Sequence, residues 1–71
     1  MSASAAIKQR LSELNMTQTE LATAIGTTRQ NLANKMSRDN FSAQELCAIG
    51  AVLGVKLVLL DNTGKEYNIE Y

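Results

Sequence analysis

The stretch from Met16 to Met36, MTQTELATAIGTTRQNLANKM, constrains this chain more than any other. It holds two short helical patterns separated by Gly26-Thr27-Thr28. Thr17 is placed to cap the first helix, and Glu20, three residues on, completes a capping box. Met16 and Leu21 occupy the two positions of a hydrophobic staple. Leu21, Ala22 and Ile25 then supply an apolar face at helical spacing. Gly26 provides the stop, because the left-handed residue that follows a helix is least strained as glycine. Thr28 caps the second helix, whose inner face is marked by Leu32 and Met36. Helix, tight glycine turn and second helix make a helix-turn-helix arrangement, in which the second helix has the dimensions to enter the major groove of DNA.

The flanking segments supply further elements. A first helix is expected from about Ala5 to Leu14, capped by Ser4 or Ser2. Ile7, Leu11 and Leu14 face inward, and Lys8 and Arg10 are solvated off that stripe. Asn15 breaks it. Ser37-Arg38-Asp39-Asn40 reads as a polar loop. A fourth helix follows, with Ser42 as cap, Glu45 closing the box, and Phe41 meeting Leu46 in a staple. Leu46, Ile49 and Leu53 continue along one face, with Val52 beside it. Gly50 inside this helix costs about 1 kcal/mol relative to alanine, and close approach of a neighbouring helix is the expected reason. Gly54 ends it.

The period then changes from helical to alternating. Val55 to Leu60 is β-branched and aliphatic, and Asp61-Asn62-Thr63-Gly64 is a turn cluster. From Lys65 to Tyr71, Tyr67, Ile69 and Tyr71 alternate with Glu66, Asn68 and Glu70. This is a β-hairpin with a four-residue loop ending at a glycine. Val55, Leu57 and Leu59 form one face of its first strand, available to pack on the helices. Val58 and Leu60 make the other face apolar as well, and that face needs a cover. The expected fold is therefore mainly α with a C-terminal β-hairpin. Residues 1–54 form a helical domain of about four helices, and residues 55–71 a hairpin extension of the same single domain.

Composition narrows the function. A chain of 71 residues buries only roughly 60% of the surface its unfolded form exposes, so dimerisation is a common remedy for its small core. One cysteine, Cys47, and no histidine exclude an internal disulfide and a structural zinc site. With no glycine-rich phosphate loop and no nucleophile–base pair, no enzymatic activity and no cofactor are expected. Glu20 and Glu45 are capping residues rather than a carboxylate pair. The opening MSASAAIKQR lacks an apolar run long enough for a signal peptide, and no stretch spans a bilayer, so a cytoplasmic protein without membrane contact is expected. Formal net charge is zero, but its distribution is uneven. Residues 1–38 carry five basic side chains against two acidic ones, and residues 39–71 carry two basic against five acidic. A basic helical half suits phosphates, and the acidic half turns away from them.

The pattern Thr17-Gln18-x-x-Leu21-Ala22-x-x-x-Gly26-Thr27-Thr28-Arg29-Gln30-x-Leu32 resembles the lambda-type phage repressor and Cro (XRE-like) family of helix-turn-helix proteins, over roughly residues 5–54. The resemblance implies a lambda repressor-like domain and a sequence-specific transcriptional regulator binding double-stranded DNA. It assigns Gln18 to a phosphate and Thr28, Arg29, Gln30 and Asn34 to base edges. The chemistry agrees, since arginine can grip guanine O6/N7, and Gln or Asn adenine N6/N7, with two bonds each. Lys35, Ser37 and Arg38 suit the DNA backbone. The sequence departs from many members at Lys35, where an aliphatic residue is common, and at Met36, where glutamate is. The hairpin lies outside the common five-helix pattern. It looks more like Cro-type proteins or antitoxins that end in a dimerising strand, which implies a homodimer on a two-fold operator through Val55, Leu57, Val58, Leu60, Tyr67 and Ile69. An antitoxin that binds both DNA and a toxin protein is the alternative. A toxin or polymerase would be the protein partner.

Overall fold

Four helices and one hairpin follow each other along the chain in the computed structural model, which describes residues 1–71. Helices α1 (Ala3–Glu13), α2 (Gln18–Ala24), α3 (Arg29–Arg38) and α4 (Ala43–Leu53) precede strands β1 (Val58–Leu60) and β2 (Glu66–Asn68), which pair antiparallel. The fold is mainly α with a C-terminal two-stranded hairpin.

The local start signals operate as the sequence dictates. Thr17 and Ser42 each accept the N–H of the glutamate three residues on, and Glu20 and Glu45 each accept the cap's own N–H. Thr28 accepts from the Asn31 N–H. Each cap satisfies helix donors that have no intrahelical partner. Gly26 and Gly54 take the left-handed conformation at φ 78° and 71°, and Asn15 does so at φ 53°, ending α1.

Helix α1 starts earlier than expected. Ser2, not Ser4, is its cap and accepts from the Ala5 N–H. Ser4 is buried instead, and its hydroxyl donates to the Met36 carbonyl at 2.8 Å. In return, the Asp39 carboxylate accepts the Ser4 N–H at 2.8 Å. The start of α1 and the end of α3 thus complete each other's hydrogen bonding. This bond pattern carries Ser37 and Arg38 into α3 rather than a loop, and Asp39, at φ 51°, makes the turn.

The core consists of Ile7, Leu11, Leu21, Ala22, Leu32, Met36, Ile49 and Leu53. Met16, Ile25, Phe41, Leu46 and Val52 pack around it half-buried. Leu21, Leu32 and Leu53 are the side chains most completely enclosed, and α2 is the central element, packing on both α3 and α4. Leu14 departs from the expected inward stripe. It stands at the end of α1, past the packed turns, and is 40% exposed. Arg10 departs the other way. Its Nε donates to the Leu53 carbonyl at 2.9 Å, capping the end of α4, and its terminal nitrogen pairs with Glu13 at 3.2 Å.

Gly50 is buried for a different reason from the one expected. The atoms nearest it belong to Val55, in the chain that follows α4. The chain turns back after Gly54, the Val55 N–H donates to the Gly50 carbonyl, and a Cβ at Gly50 would stand 2.7 Å from the Val55 carbonyl oxygen.

The hairpin is shorter than the apolar run suggests. Val55 to Leu57 serve as the connection out of α4 rather than as ladder residues. The register pairs Val58 with Asn68, Leu59 with Tyr67 and Leu60 with Glu66. Asp61 N–H bonds to the Lys65 carbonyl, so the loop has three residues rather than four and closes on Gly64 at φ 91°. This is the three-residue hairpin with a left-handed glycine. The Asp61 carboxylate accepts from the Thr63 hydroxyl and from the N–H groups of Thr63 and Lys65, which hold its carboxyl below the usual range. Neither hairpin face is buried on the helices. Attachment is at the base only, through half-buried Leu57 and Ile69 and the Cys47 thiol, which donates to the Ile69 carbonyl at 3.3 Å. The result is an elongated body of 38 × 23 × 20 Å.

Candidate nucleic-acid interface

Helix α3 is held to the core by Leu32 and Met36, one turn apart and both buried. That anchoring turns the rest of its surface outward. Thr28, Arg29, Gln30 and Asn34 are all exposed. Gln30 Nε2 donates to Asn34 Oδ1 at 3.1 Å, so these two amides form one preorganised pair a turn apart on the helix. Arg29 makes no ion pair within the chain, and its guanidinium donors are open.

The backbone-facing group is less uniform. Gln18 is the first residue of α2 and is half-buried. Ser37 and Arg38 are exposed on the last turn of α3. Lys35 is already engaged, with its Nζ 2.7 Å from Glu45 Oε2. The Lys35 ammonium, together with the Ser42 N–H, lowers the Glu45 carboxyl to about 2. Lys35 is therefore less open to an outside anion than its sequence position implies, because its charge is shared across to α4.

Electrostatics around α3 favour an anion. The helix contains no carboxylate. The two acidic residues nearest its C-terminal half are both occupied internally, Glu45 by Lys35 and Asp39 by the Ser4 N–H, which holds Asp39 below the usual carboxylate range. Alongside lies a hollow of about 270 Å³ lined only by polar side chains: Thr27, Asn31, Asn34, Lys35, Arg38 and Asn40. Sequence reasoning passed over Asn31. Its signal was the i, i+3, i+4, i+7 spacing of Asn31, Asn34, Lys35 and Arg38, a polar stripe at helical period.

The proposed dimerisation residues fall on the protruding hairpin and its root. Val55, Leu60 and Tyr67 are exposed, and Leu57, Val58 and Ile69 are half-buried. Leu59, assigned by the sequence to the helix-facing side, is 63% exposed. No group of three or more histidine, cysteine, aspartate or glutamate residues is arranged to hold a metal ion. No helix is long and apolar enough to cross a membrane.

The model of a protein family described as a domain of unknown function, DUF6471, matches residues 1–58, which takes in all four helices and the first residue of β1. No curated protein and no solved structure matches the chain.

Proposed function

We propose that this chain, which belongs to the DUF6471 family, is a sequence-specific DNA-binding transcriptional regulator acting as a homodimer on a two-fold operator. In this reading α2 and α3 form a lambda repressor-like helix-turn-helix, and the protein works in the cytoplasm. The observation that carries it is the outer surface of α3: Arg29, Gln30 and Asn34 exposed on a helix without a carboxylate, its acidic neighbours tied up internally. Arginine and amide side chains are those that match the donor and acceptor pattern of base edges in the major groove. Arg38 and Gln18 flank them for the phosphates, and these contacts set register rather than sequence. Binding by one recognition helix per subunit would block or recruit polymerase.

Selection of bound sites from random duplex DNA tests the reading directly. Arg29→Ala should cost about 1–3 kcal/mol on the selected site and relax preference at one base pair. Arg38→Ala should weaken all duplexes alike and reduce the salt slope by about one unit. Equal binding of all duplexes by Arg29→Ala and the parent would remove Arg29 from base readout. The second reading, a DNA-binding antitoxin, is favoured by the exposed apolar hairpin with its acidic surroundings. It requires a toxin encoded nearby and a stable complex with it.

A further inference from the structure

Lys35 stands between two hollows. With Thr27 it lines the polar one of about 270 Å³ beside α3, and also a smaller one of about 140 Å³ that reaches α4. Its ammonium is drawn to the α4 side, 2.7 Å from Glu45 Oε2. The polar hollow has one other charge on its wall, Arg38, which forms no ion pair. Lys35 and Arg38 are three residues apart on α3, so the two cations share one face of the helix. No carboxylate lines the hollow they border.

Glu45 is a fixed acceptor. Its Oε1 takes the Ser42 N–H at 3.0 Å in the capping box of α4, which leaves Oε2 for Lys35. The box does not need the lysine. Glu20 closes the same kind of box on α2 with Thr17 and has no cation on it. The Lys35–Glu45 pair is thus an addition to the cap, and burial does little to strengthen it: its side chains are 44% and 37% exposed. Ion pairs this open to solvent contribute little, whereas a lysine moved onto a duplex phosphate releases a condensed counterion.

We propose that Glu45 holds Lys35 in reserve: the pair is closed in the free protein, and a DNA phosphate seated in the polar hollow beside Arg38 takes Lys35 from it. Glu45, on a helix that offers no base-reading residue, thereby sets the strength and the salt dependence of binding to any duplex. This rests on the DNA-binding reading of α3 and specifies its regulation. A phosphate in the hollow neutralises both cations of α3, whereas Glu45 pairs with Lys35 alone. The exchange has a cost. A Lys35–phosphate contact releases a counterion from the DNA but leaves the Glu45 carboxylate to take one up from solution. Lys35 therefore adds almost nothing to the salt slope, while Arg38, which has no partner to leave, adds about one unit.

The test uses the full chain and a mixed-sequence duplex of about 20 base pairs, because phosphate contacts are independent of sequence. Base readout by Arg29 does not enter, so failure here and failure of operator recognition are separate results. Glu45→Gln removes the charge and keeps the cap, since glutamine closes a capping box as glutamate does. It should raise affinity about two- to fivefold and steepen the salt slope by about one unit. Lys35→Gln alone should change affinity by less than about twofold and leave the slope as it is. In the Glu45→Gln background, Lys35→Gln should abolish the gain and return the slope to the parent's. A gain that persists without Lys35 is a general effect of removing a negative charge, and it overturns the inference. So does a Glu45→Gln variant with the parent's affinity and slope. If Glu45→Gln unfolds, Lys35→Gln and Arg38→Gln in the parent decide, because the inference requires only the second to flatten the slope. A parent that binds no duplex at low salt overturns this inference together with the reading it rests on.

Discussion

At the scale of single residues, two positions set two known effects against each other. Gly50 lies in a helix interior, where alanine would be worth about 1 kcal/mol by propensity alone. The Cβ that alanine brings would meet the Val55 carbonyl oxygen at 2.7 Å, and that atom is backbone held by the turn after Gly54. The clash outweighs the propensity, so Gly50→Ala should lower the melting temperature. A rise would show that the turn shifts freely. Ser4 is the second position. Its hydroxyl reaches the Met36 carbonyl from 32 residues away. Ser4→Ala removes the shorter of two bonds to that carbonyl, the Asp39 N–H at 3.3 Å remaining, and should cost about 0.5–1.5 kcal/mol. For a domain this size, ~1 kcal/mol corresponds to roughly 4–8 °C of melting temperature. Unchanged melting would mean that water replaces the hydroxyl. Neither effect was legible in the sequence. Ser4 resembled one of two candidate caps, and Gly50 a helix-contact glycine, because both depend on what the fold brings alongside. Arg10 was misjudged as solvated for the same reason, since its partner is the Leu53 carbonyl on another helix.

At the scale of elements, the local chemistry was readable and the pairings were not. The caps at Thr17, Thr28 and Ser42 and the stops at Gly26 and Gly54 act within a few residues, so spacing revealed them. The order of helices and hairpin followed. The exposed side of α3 was legible too, because Leu32 and Met36 fix which side is buried. The Lys35–Glu45 ion pair joins two helices and carried no local signal. That pair and the caps set a pH dependence. Glu45 is lowered from 4.5 to about 2, first by Lys35 and then by the Ser42 N–H. Glu20, Asp39 and Asp61 are also lowered, by hydrogen bonds donated to their carboxylates. A depressed folded-state value means that the charged form is the one the fold binds. Its contribution is therefore complete above the unfolded value near 4.5 and disappears as pH falls toward 2. Melting temperature should hold between pH 5 and 7, where no histidine titrates, and drop through the window from about 4.5 to 2. Lys35→Met should soften that drop by raising the Glu45 value. An acid profile unchanged by Lys35→Met would show that the ion pair does not form in solution.

At the scale of the whole molecule, the hairpin belongs to a body 38 Å long and is fixed to the helices at its root, through the Cys47 thiol and half-buried Leu57 and Ile69. This protrusion was the least legible feature. The alternation in residues 65–71 identified a strand, but the sequence does not say whether a strand lies on its own helices or beyond them. Beyond them, it would set how far apart two copies hold their α3 helices in the proposed homodimer. Two recognition helices reading successive major grooves sit about 34 Å apart, one helical turn of roughly 10–10.5 base pairs. In the proposed homodimer, a rigid contact between the two copies would make that spacing a fixed property of the protein. The selected operator should therefore be palindromic with one narrow half-site spacing. Inserting five base pairs between the half-sites turns the second one to the opposite side of the duplex. Affinity should then fall to that of a single half-site, with one bound copy contacting bases. Insertion of a full turn moves the half-sites to the same side again but beyond the reach of the rigid pair, and should not restore binding. Footprinting on the three operators measures this. Equal affinity for all of them would mean that each copy binds alone.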